Sequence, residues 1–280
     1  MIITENKRLN IRDFTRDGRA VMAKDHYEEM KRTESESIEK SIKDCKIFRY
    51  GEIKYYMDIK YENDIIINPT DTVSEIFTVD NIIDKVAVLN FASYKNPGGQ
   101  FLEGSPAQEE ALCHTSTLYN VLEAHTEDYY KPHMQTLNRA LYTHELLYSP
   151  NIKFFDYHLC SDGDSTVKTV NGTRMVDVIN CAAPNTGTYV RYNGRDDNLI
   201  KRTLEDRIEL ILDTAVYNKV DILILGAFGC GVFRNDPYLV ASIFKDFIDG
   251  EYEGVFKEIH FPIPLGKDNN FEAFKEVFGV

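Results

Sequence analysis

Six short apolar runs, most of them rich in β-branched residues, constrain this chain more than any other feature. They are Ile65, Ile66 and Ile67 within Asp64–Asn68, then Val86–Phe91, Ile152–Tyr157, Met175–Cys181, Ile222–Phe228 and Ile259–Ile263. Continuous apolar runs of this length read as strands buried on both faces. Between them lie segments of helical period. In Leu199–Asn218, Ile200, Leu204, Ile208, Ile211, Leu212 and Ala215 recur every three or four residues, with charged residues elsewhere. Asn235-Asp236-Pro237 reads as a helix start, Asp236 capping and Pro237 in the first position, ahead of Leu239, Ile243 and Phe247. Such alternation implies an α/β fold, with helices on both faces of a largely parallel or mixed sheet and ligands outside the carboxyl ends of strands. Pro150–Arg174 reads as an excursion between strands. Phe14–Lys43, polar with sparse apolar marks at Met22, Tyr27, Met30 and Ile38, reads as a peripheral helical arm rather than core.

Composition narrows the function classes. With 43% hydrophobic residues, 17 Tyr and 16 Phe, the 280-residue chain can bury a substantial core. Acidic residues outnumber basic ones by 45 to 32, a net charge of -13, and no basic block interrupts the chain. Long-range attraction to nucleic acid or to an anionic membrane is therefore not expected, and an anionic ligand would have to be held by local hydrogen-bond donors. No apolar run approaches the roughly 18–20 residues of a membrane span, and the first residues lack a signal-peptide stretch, so a soluble cytoplasmic protein is expected. The five cysteines, Cys45, Cys113, Cys160, Cys181 and Cys230, form no CxxC pair; a disulfide framework or structural zinc site is not expected, and most should be small buried hydrophobes.

Chemistry concentrates in Val88–Tyr119. A strand ends at Asn90, a loop crosses Asn96-Pro97-Gly98-Gly99, and a helix opens near Ala107–Glu110 and continues through Leu112, Leu118 and Leu122. Gly98 and Gly99 permit positive φ and bring backbone close to a ligand. Gln108, Glu109 and Glu110 fall in the first helical turn. A lone Gly-Gly pair marks a turn, and acidic residues are common at helix starts. The ordered set of Asn90, the glycine loop, the aromatic Phe101 and Gln-Glu-Glu is denser in polar chemistry than a structural loop requires.

The run NFASYKNPGGQFLEGSPAQEE resembles the signature of microbial poly(ADP-ribose) glycohydrolases of the macrodomain superfamily. Asp221–Pro237, DILILGAFGCGVFRNDP, resembles that family's diphosphate-binding loop, and VINCAAPN at 178–185 the strand between the two motifs. The likeness runs from about Ile65 to Phe261, with Gln100 where the family has a third loop glycine. It implies a macrodomain-like three-layer α/β/α sandwich at 51–280, preceded at 1–50 by an N-terminal helical extension packed on it. The activity implied is release of ADP-ribose from poly(ADP-ribose) by cleavage of ribose–ribose O-glycosidic bonds, mainly terminal, with ADP-ribosylated proteins as substrates and no metal or cofactor. By the same resemblance Glu110 is the acid/base, and Glu109 and Asn90 orient ribose hydroxyls with Gln108 in support. Asn96, Gly98, Gly99, Gln100 and Phe101 line the distal ribose. Gly229, Cys230, Gly231, Val232 and Phe233 embrace the diphosphate and neighbouring ribose.

Physical reasoning supports two of these expectations. Gly226, Gly229 and Gly231 leave amides unobstructed just before a capped helix, which suits a diphosphate cradle and needs no bulk positive field. A helix start favours a carboxylate by roughly 0.3–1 kcal/mol, whereas burial alone can raise a carboxyl pKa by about 3–5 units. A closed site should therefore keep a proton on one of the two glutamates. Adjacent helical residues diverge, so Glu109 and Glu110 should not flank one bond as acid and nucleophile. Cys113 beside His114, with His125 nearby, admits a Cys-His reading, but the local signatures of such enzymes are absent. Asp71 and Thr72 are weaker candidates for the adenine end. The alternatives are a hydrolase of single ADP-ribose units on protein or nucleic-acid acceptors, and a non-catalytic ADP-ribose reader.

Overall fold

The apolar runs assemble into a single eight-stranded sheet in the computed structural model, which describes residues 4–55, 61–79, 83–162 and 165–279. In chain order the first half holds β1 (Thr4–Arg8), α1 (Arg16–Thr33), α2 (Ser35–Asp44), β2 (Lys46–Arg49), β3 (Asp64–Asn68), α3 (Thr72–Thr78) and β4 (Val86–Phe91). Next come α4 (Gln108–His114), α5 (Leu118–Ala124), α6 (Lys131–Gln135), β5 (Glu145–Asp162) and β6 (Ser165–Cys181). The remainder is α7 (Thr186–Asn193), α8 (Asp197–Tyr217), β7 (Ile222–Ile224), α9 (Pro237–Asp249), β8 (Glu258–Pro262) and α10 (Asn270–Phe278). The sheet order is β1-β5-β6-β4-β7-β8-β3, with β2 on β5. The neighbours from β6 to β3 are parallel, and β5 is antiparallel to β6, β1 and β2.

Strand alternation divides the interior into two cores. Ala87 and Leu89 of β4, Ile179 of β6 and Leu223 of β7 pack under α7, α8, α9 and α10. Val86, Val88, Val178 and Ile222 pack on the other face under α1 to α5. The result is the three-layer α/β/α sandwich with a mixed sheet that was expected. Helix α8 buries the whole apolar stripe read from its period, and Pro237 opens α9 with Asp236 accepting from Tyr238 N–H at 3.0 Å. Among the described residues no helix is long and apolar enough to cross a membrane. Cys113 and Cys181 are buried, and Cys45 and Cys230 half-buried; the side chain of Cys160 lies outside what is described.

Four expectations need correction. The N-terminal segment is helical but not peripheral: Ala23, Met30 and Ile38 belong to the second core. The described residues of Pro150–Arg174 belong to the paired strands β5 and β6, with 163–164 outside the described residues. Register shifts between Ser149 and Ile152 and between Phe155 and Tyr157 break its alternation, and Asp177 accepts from Asn151 N–H at 2.7 Å across the first. The helix after Ala107 is two helices. Ser116 bridges Phe154 of β5, while Thr117 N–H donates to Lys153 O and Phe155 N–H to Thr115 O, which diverts helical hydrogen bonds to the strand. Finally, β7 stops at Ile224, because the chain turns at Gly226 with φ +135°.

Candidate functional site

Since β4, β6 and β7 are parallel, the segments that follow them leave the sheet at one edge. There Asn90 and Asn180 stand in register, both fully buried. Asn90 Nδ2 donates to Asn180 Oδ1 at 3.0 Å and to Glu109 Oε1 at 3.3 Å. Asn180 Nδ2 donates in turn to Leu147 O at 2.8 Å and Ser149 Oγ at 3.0 Å. Asn90 Oδ1 is buried without a partner. Asn180 was not singled out from the sequence, although an amide inside an apolar strand beside a second such strand is a readable signal.

Helix α4 is docked on β4 by Gln108, which accepts from Phe91 N–H at 2.9 Å and donates to Leu89 O at 2.8 Å. Both amide atoms thus serve the scaffold, and the helix start carries Glu109 and Glu110 to the strand end. The glycine loop closes over them through turns, Gly99 N–H donating to Asn96 O and Phe101 N–H to Gly98 O. Gly98 and Gly99 have φ of +63° and +64°, and a Cβ on Gly99 would stand 2.5 Å from Glu110 Oε1 and 2.9 Å from Glu109 Oε2. Glycine is therefore required at both places. Gln100 is not among the residues with positive φ, and its N–H donates to Glu110 Oε1 at 2.8 Å. A third glycine is not needed for this backbone. Asn96 sits exposed on the rim, with its N–H on Ser93 Oγ at 3.1 Å. Phe101, expected beside the ligand, is 1% exposed and packs against His114 and Tyr119. A cleft of about 280 Å³ lies along the loop, bordered by Asn96, Gly99, Gln100, Phe101, Glu103 and Tyr119.

The two glutamates, 4% and 5% exposed, differ in their partners. Both oxygens of Glu109 are engaged, Oε2 by Ser93 N–H at 2.7 Å and Oε1 by Asn90. Glu110 uses Oε1 on Gln100 N–H and keeps Oε2 buried and free. Burial, reinforced by the neighbouring Glu110, raises the Glu109 carboxyl from 4.5 to about 8; the Ser93 and Asn90 donors oppose the rise without cancelling it.

The second loop leaves the end of β7, the strand beside β4. Gly229, at φ +71°, is locked: a Cβ there would lie 2.3 Å from Asn235 Nδ2 and 2.5 Å from Ala183 Cβ. Asn235 Nδ2 donates to Pro184 O at 3.0 Å and Gly229 O at 3.1 Å, and Thr186 donates to its Oδ1. Among the described residues the amides of Gly229, Gly231, Val232 and Phe233 donate to no protein acceptor. A Cβ on Gly231 would meet nothing within 4 Å. Val232 is 83% exposed, and Phe233 packs at the edge of Tyr142. The arrangement can hold an anion by backbone donors.

The remaining candidates have protein surroundings of their own. Burial pushes the Cys113 thiol well above its usual range, beneath Gly98, and the Cys230 thiol up as well. His114 is lowered to about 3 by burial, so a Cys-His ion pair is disfavoured. Asp71 caps α3, accepting from Ser74 N–H at 2.9 Å, while Thr72 is buried against Gln108.

Comparison with known proteins bears on the family and the fold. Residues 15–156 match the family described as microbial-type PARG, catalytic domain, PARG being poly(ADP-ribose) glycohydrolase. The match takes in α1 and α2 as well as the glycine loop and α4. The crystal structure of poly(ADP-ribose) glycohydrolase from Thermomonospora curvata has a TM-score of 0.80 at 26% identity, covering 94% of this chain and 100% of that one. The same protein bound to the inhibitor ADP-HPD gives 0.78 at 26%, covering 93% and 99%. The Deinococcus radiodurans enzyme in complex with ADP-ribose gives 0.73 at 28%, covering 86% and 97%. No curated protein sequence matches the chain. On its fold, its paired glycine loops and this family match, the chain belongs to the microbial-type poly(ADP-ribose) glycohydrolases.

Proposed function

We propose that the protein hydrolyses the ribose–ribose O-glycosidic bonds of poly(ADP-ribose), mainly at the terminus, and releases ADP-ribose. The observation that carries the assignment of roles is the asymmetry of the glutamate pair: Glu110 Oε2 is the carboxyl oxygen without a protein partner, whereas both oxygens of Glu109 are engaged. In this reading the amides of Gly229, Gly231, Val232 and Phe233 hold the diphosphate, and Gly98 and Gly99 shape the wall around the distal ribose. Glu110 gives a proton to the leaving ribose oxygen as the bond to the anomeric carbon breaks, leaving an oxocarbenium-like sugar. The Glu110 carboxylate then takes a proton from water as its oxygen adds to that carbon. Asn90, through its unpartnered Oδ1, and Glu109 orient the ribose hydroxyls. Kept protonated to about pH 8, Glu109 adds no second negative charge beside the diphosphate. The step as written needs no metal.

Support comes from the family and from the ligands of its relatives: the Deinococcus radiodurans enzyme binds ADP-ribose and the Thermomonospora curvata enzyme binds ADP-HPD. ADP-ribosylated proteins in the cytoplasm are the proposed carriers of the polymer, and 1–50 is proposed as an extension of the 51–280 catalytic domain. The test is the wild type against Glu110→Gln on poly(ADP-ribose). Turnover should fall at least about 10³-fold while ADP-ribose affinity stays within about threefold. A variant that hydrolyses at near wild-type rate overturns the role of Glu110. Early products of the wild type should be ADP-ribose alone; short oligomers would reject terminal cleavage. Release only from singly modified proteins would favour the mono-ADP-ribose reading, and binding without hydrolysis a reader.

A further inference from the structure

We propose that the first turn of α1 is a strut for the glycine loop, with Arg19 as the positioning residue that holds Glu110 in register through it. The inference rests on the catalytic reading of that site.

Helix and loop meet backbone to backbone. Gly104 has φ +73°, and a Cβ there would stand 2.1 Å from Arg16 O and 2.9 Å from Ala20 N. Arg19, 9% exposed, donates from Nε to Gly104 O at 2.7 Å and from Nη1 to Phe14 O, while Arg16 Nε donates to Glu103 O at 2.9 Å. From Gly104 the connection continues inward. Gly104 N–H donates to Phe101 O and Ser105 N–H to Gln100 O, both at 3.1 Å, and Gln100 N–H reaches Glu110 Oε1 at 2.8 Å. A guanidinium 85 residues from Gly104 in sequence is thereby joined to the proposed acid by a short chain of hydrogen bonds.

The choice of residue argues for geometry over packing. Dehydrating a cation is costly unless it is paired or well bonded, and among the described residues Arg19 has no carboxylate partner. An apolar side chain would fill the space at lower cost. Only the planar fork of an arginine can clamp carbonyls of two separate segments at fixed angles. The second loop is held by a different device, Asn235 with Thr186. Loss of the strut should therefore loosen one loop and spare the other.

The test uses the full chain with Arg19→Gln, Arg19→Lys and Arg16→Gln. In Arg19→Gln, amide exchange at Gln100, Phe101, Gly104 and Ser105 should quicken by about tenfold or more, with the bonded amides of Arg234 and Asn235 unchanged. On poly(ADP-ribose), kcat should fall about 10- to 100-fold with ADP-ribose affinity within about threefold, as expected for misplacement of a reacting group rather than loss of binding. Arg19→Lys should recover part of kcat. A folded Arg19→Gln with unchanged loop exchange overturns the strut, as does a kcat that falls in proportion with affinity. If Arg19→Gln does not fold, Arg16→Gln decides: faster exchange at Gly104 and Ser105 supports the strut and an unchanged rate rejects it. Exchange reads the strut whether or not the wild type turns over polymer, so failure of the catalytic reading remains distinguishable.

Discussion

Asn90 and Asn180 face each other in register on adjacent parallel strands, and the amide of the first donates to the oxygen of the second at 3.0 Å. Through this pair the hairpin β5–β6, by way of Leu147 and Ser149, is connected to Glu109.

Replacing Asn180 by Leu removes the acceptor of Asn90 and both donors to β5 inside a dry region. Chemical denaturation should show a loss of about 2–3 kcal/mol, because buried polar groups are left unpaired. ADP-ribose affinity should drop as Asn90 loses its orientation. A loss under about 0.5 kcal/mol, within the range of surface substitutions, would mean that the pair does not organise the strand ends.

The sequence made some of this legible and concealed the rest. Asn90, the glycine loop and Gln-Glu-Glu lie within about twenty residues, so their chemistry could be read locally, and the stripe of α8 and the cap of α9 are local signals too. The contacts of Arg19 with Gly104 and of Asn90 with Asn180 span 85 and 90 residues and leave no periodic trace. Strand β1 is short and polar and β2 has only four residues, so both are defined by pairing with β5 rather than by their own pattern. Bulges hid the length of the hairpin, and backbone bonding to β5 broke a helix that its periodicity would have continued. The burial of Phe101 is equally illegible, because aromatic rings serve both cores and sites.

Glu109 gives a pH signature. Its folded carboxyl titrates near 8 against an ordinary 4.5, so the folded chain retains a proton that the unfolded chain releases. The associated stability is complete below the unfolded value and is lost as pH rises towards about 8, with a slope of up to about 1.4 kcal/mol per pH unit. Melting measured from pH 5 to 8.5 should show this decline, and Glu109→Gln should flatten it. Calorimetry should find ADP-ribose affinity falling above about pH 8 in the wild type as Glu109 ionises. Equal pH dependence in both proteins would refute the assignment.

Gly99 and Gly231 should respond to alanine in opposite ways. At Gly99 a methyl group meets two carboxyl oxygens and a positive φ, so Gly99→Ala should cost about 1–3 kcal/mol and abolish most turnover. Gly231→Ala meets no protein atom and should leave melting unchanged or slightly raised. If the loop amides hold the diphosphate, its ADP-ribose affinity should fall, since the added methyl sits on a residue that would donate to the ligand. Retained affinity would argue that the diphosphate lies elsewhere.

Position 100 should tolerate glycine without benefit. Its φ is not positive, so Gln100→Gly should lower stability by a few tenths to about 1 kcal/mol through chain entropy and leave kcat within about twofold. A marked gain in kcat would instead show that the glutamine side chain obstructs the reaction.

The odd-and-even division of β4 ties catalysis to folding in a way that loops alone would not. Inserting one residue ahead of Asn90 would exchange Val88 and Leu89 between the two helical layers and rotate the asparagine away from its neighbour. Such a frameshifted strand would forfeit both interiors and the proposed reaction centre at once. Changes of length are therefore expected to be tolerated in the loops at the rim rather than in the strand beneath them.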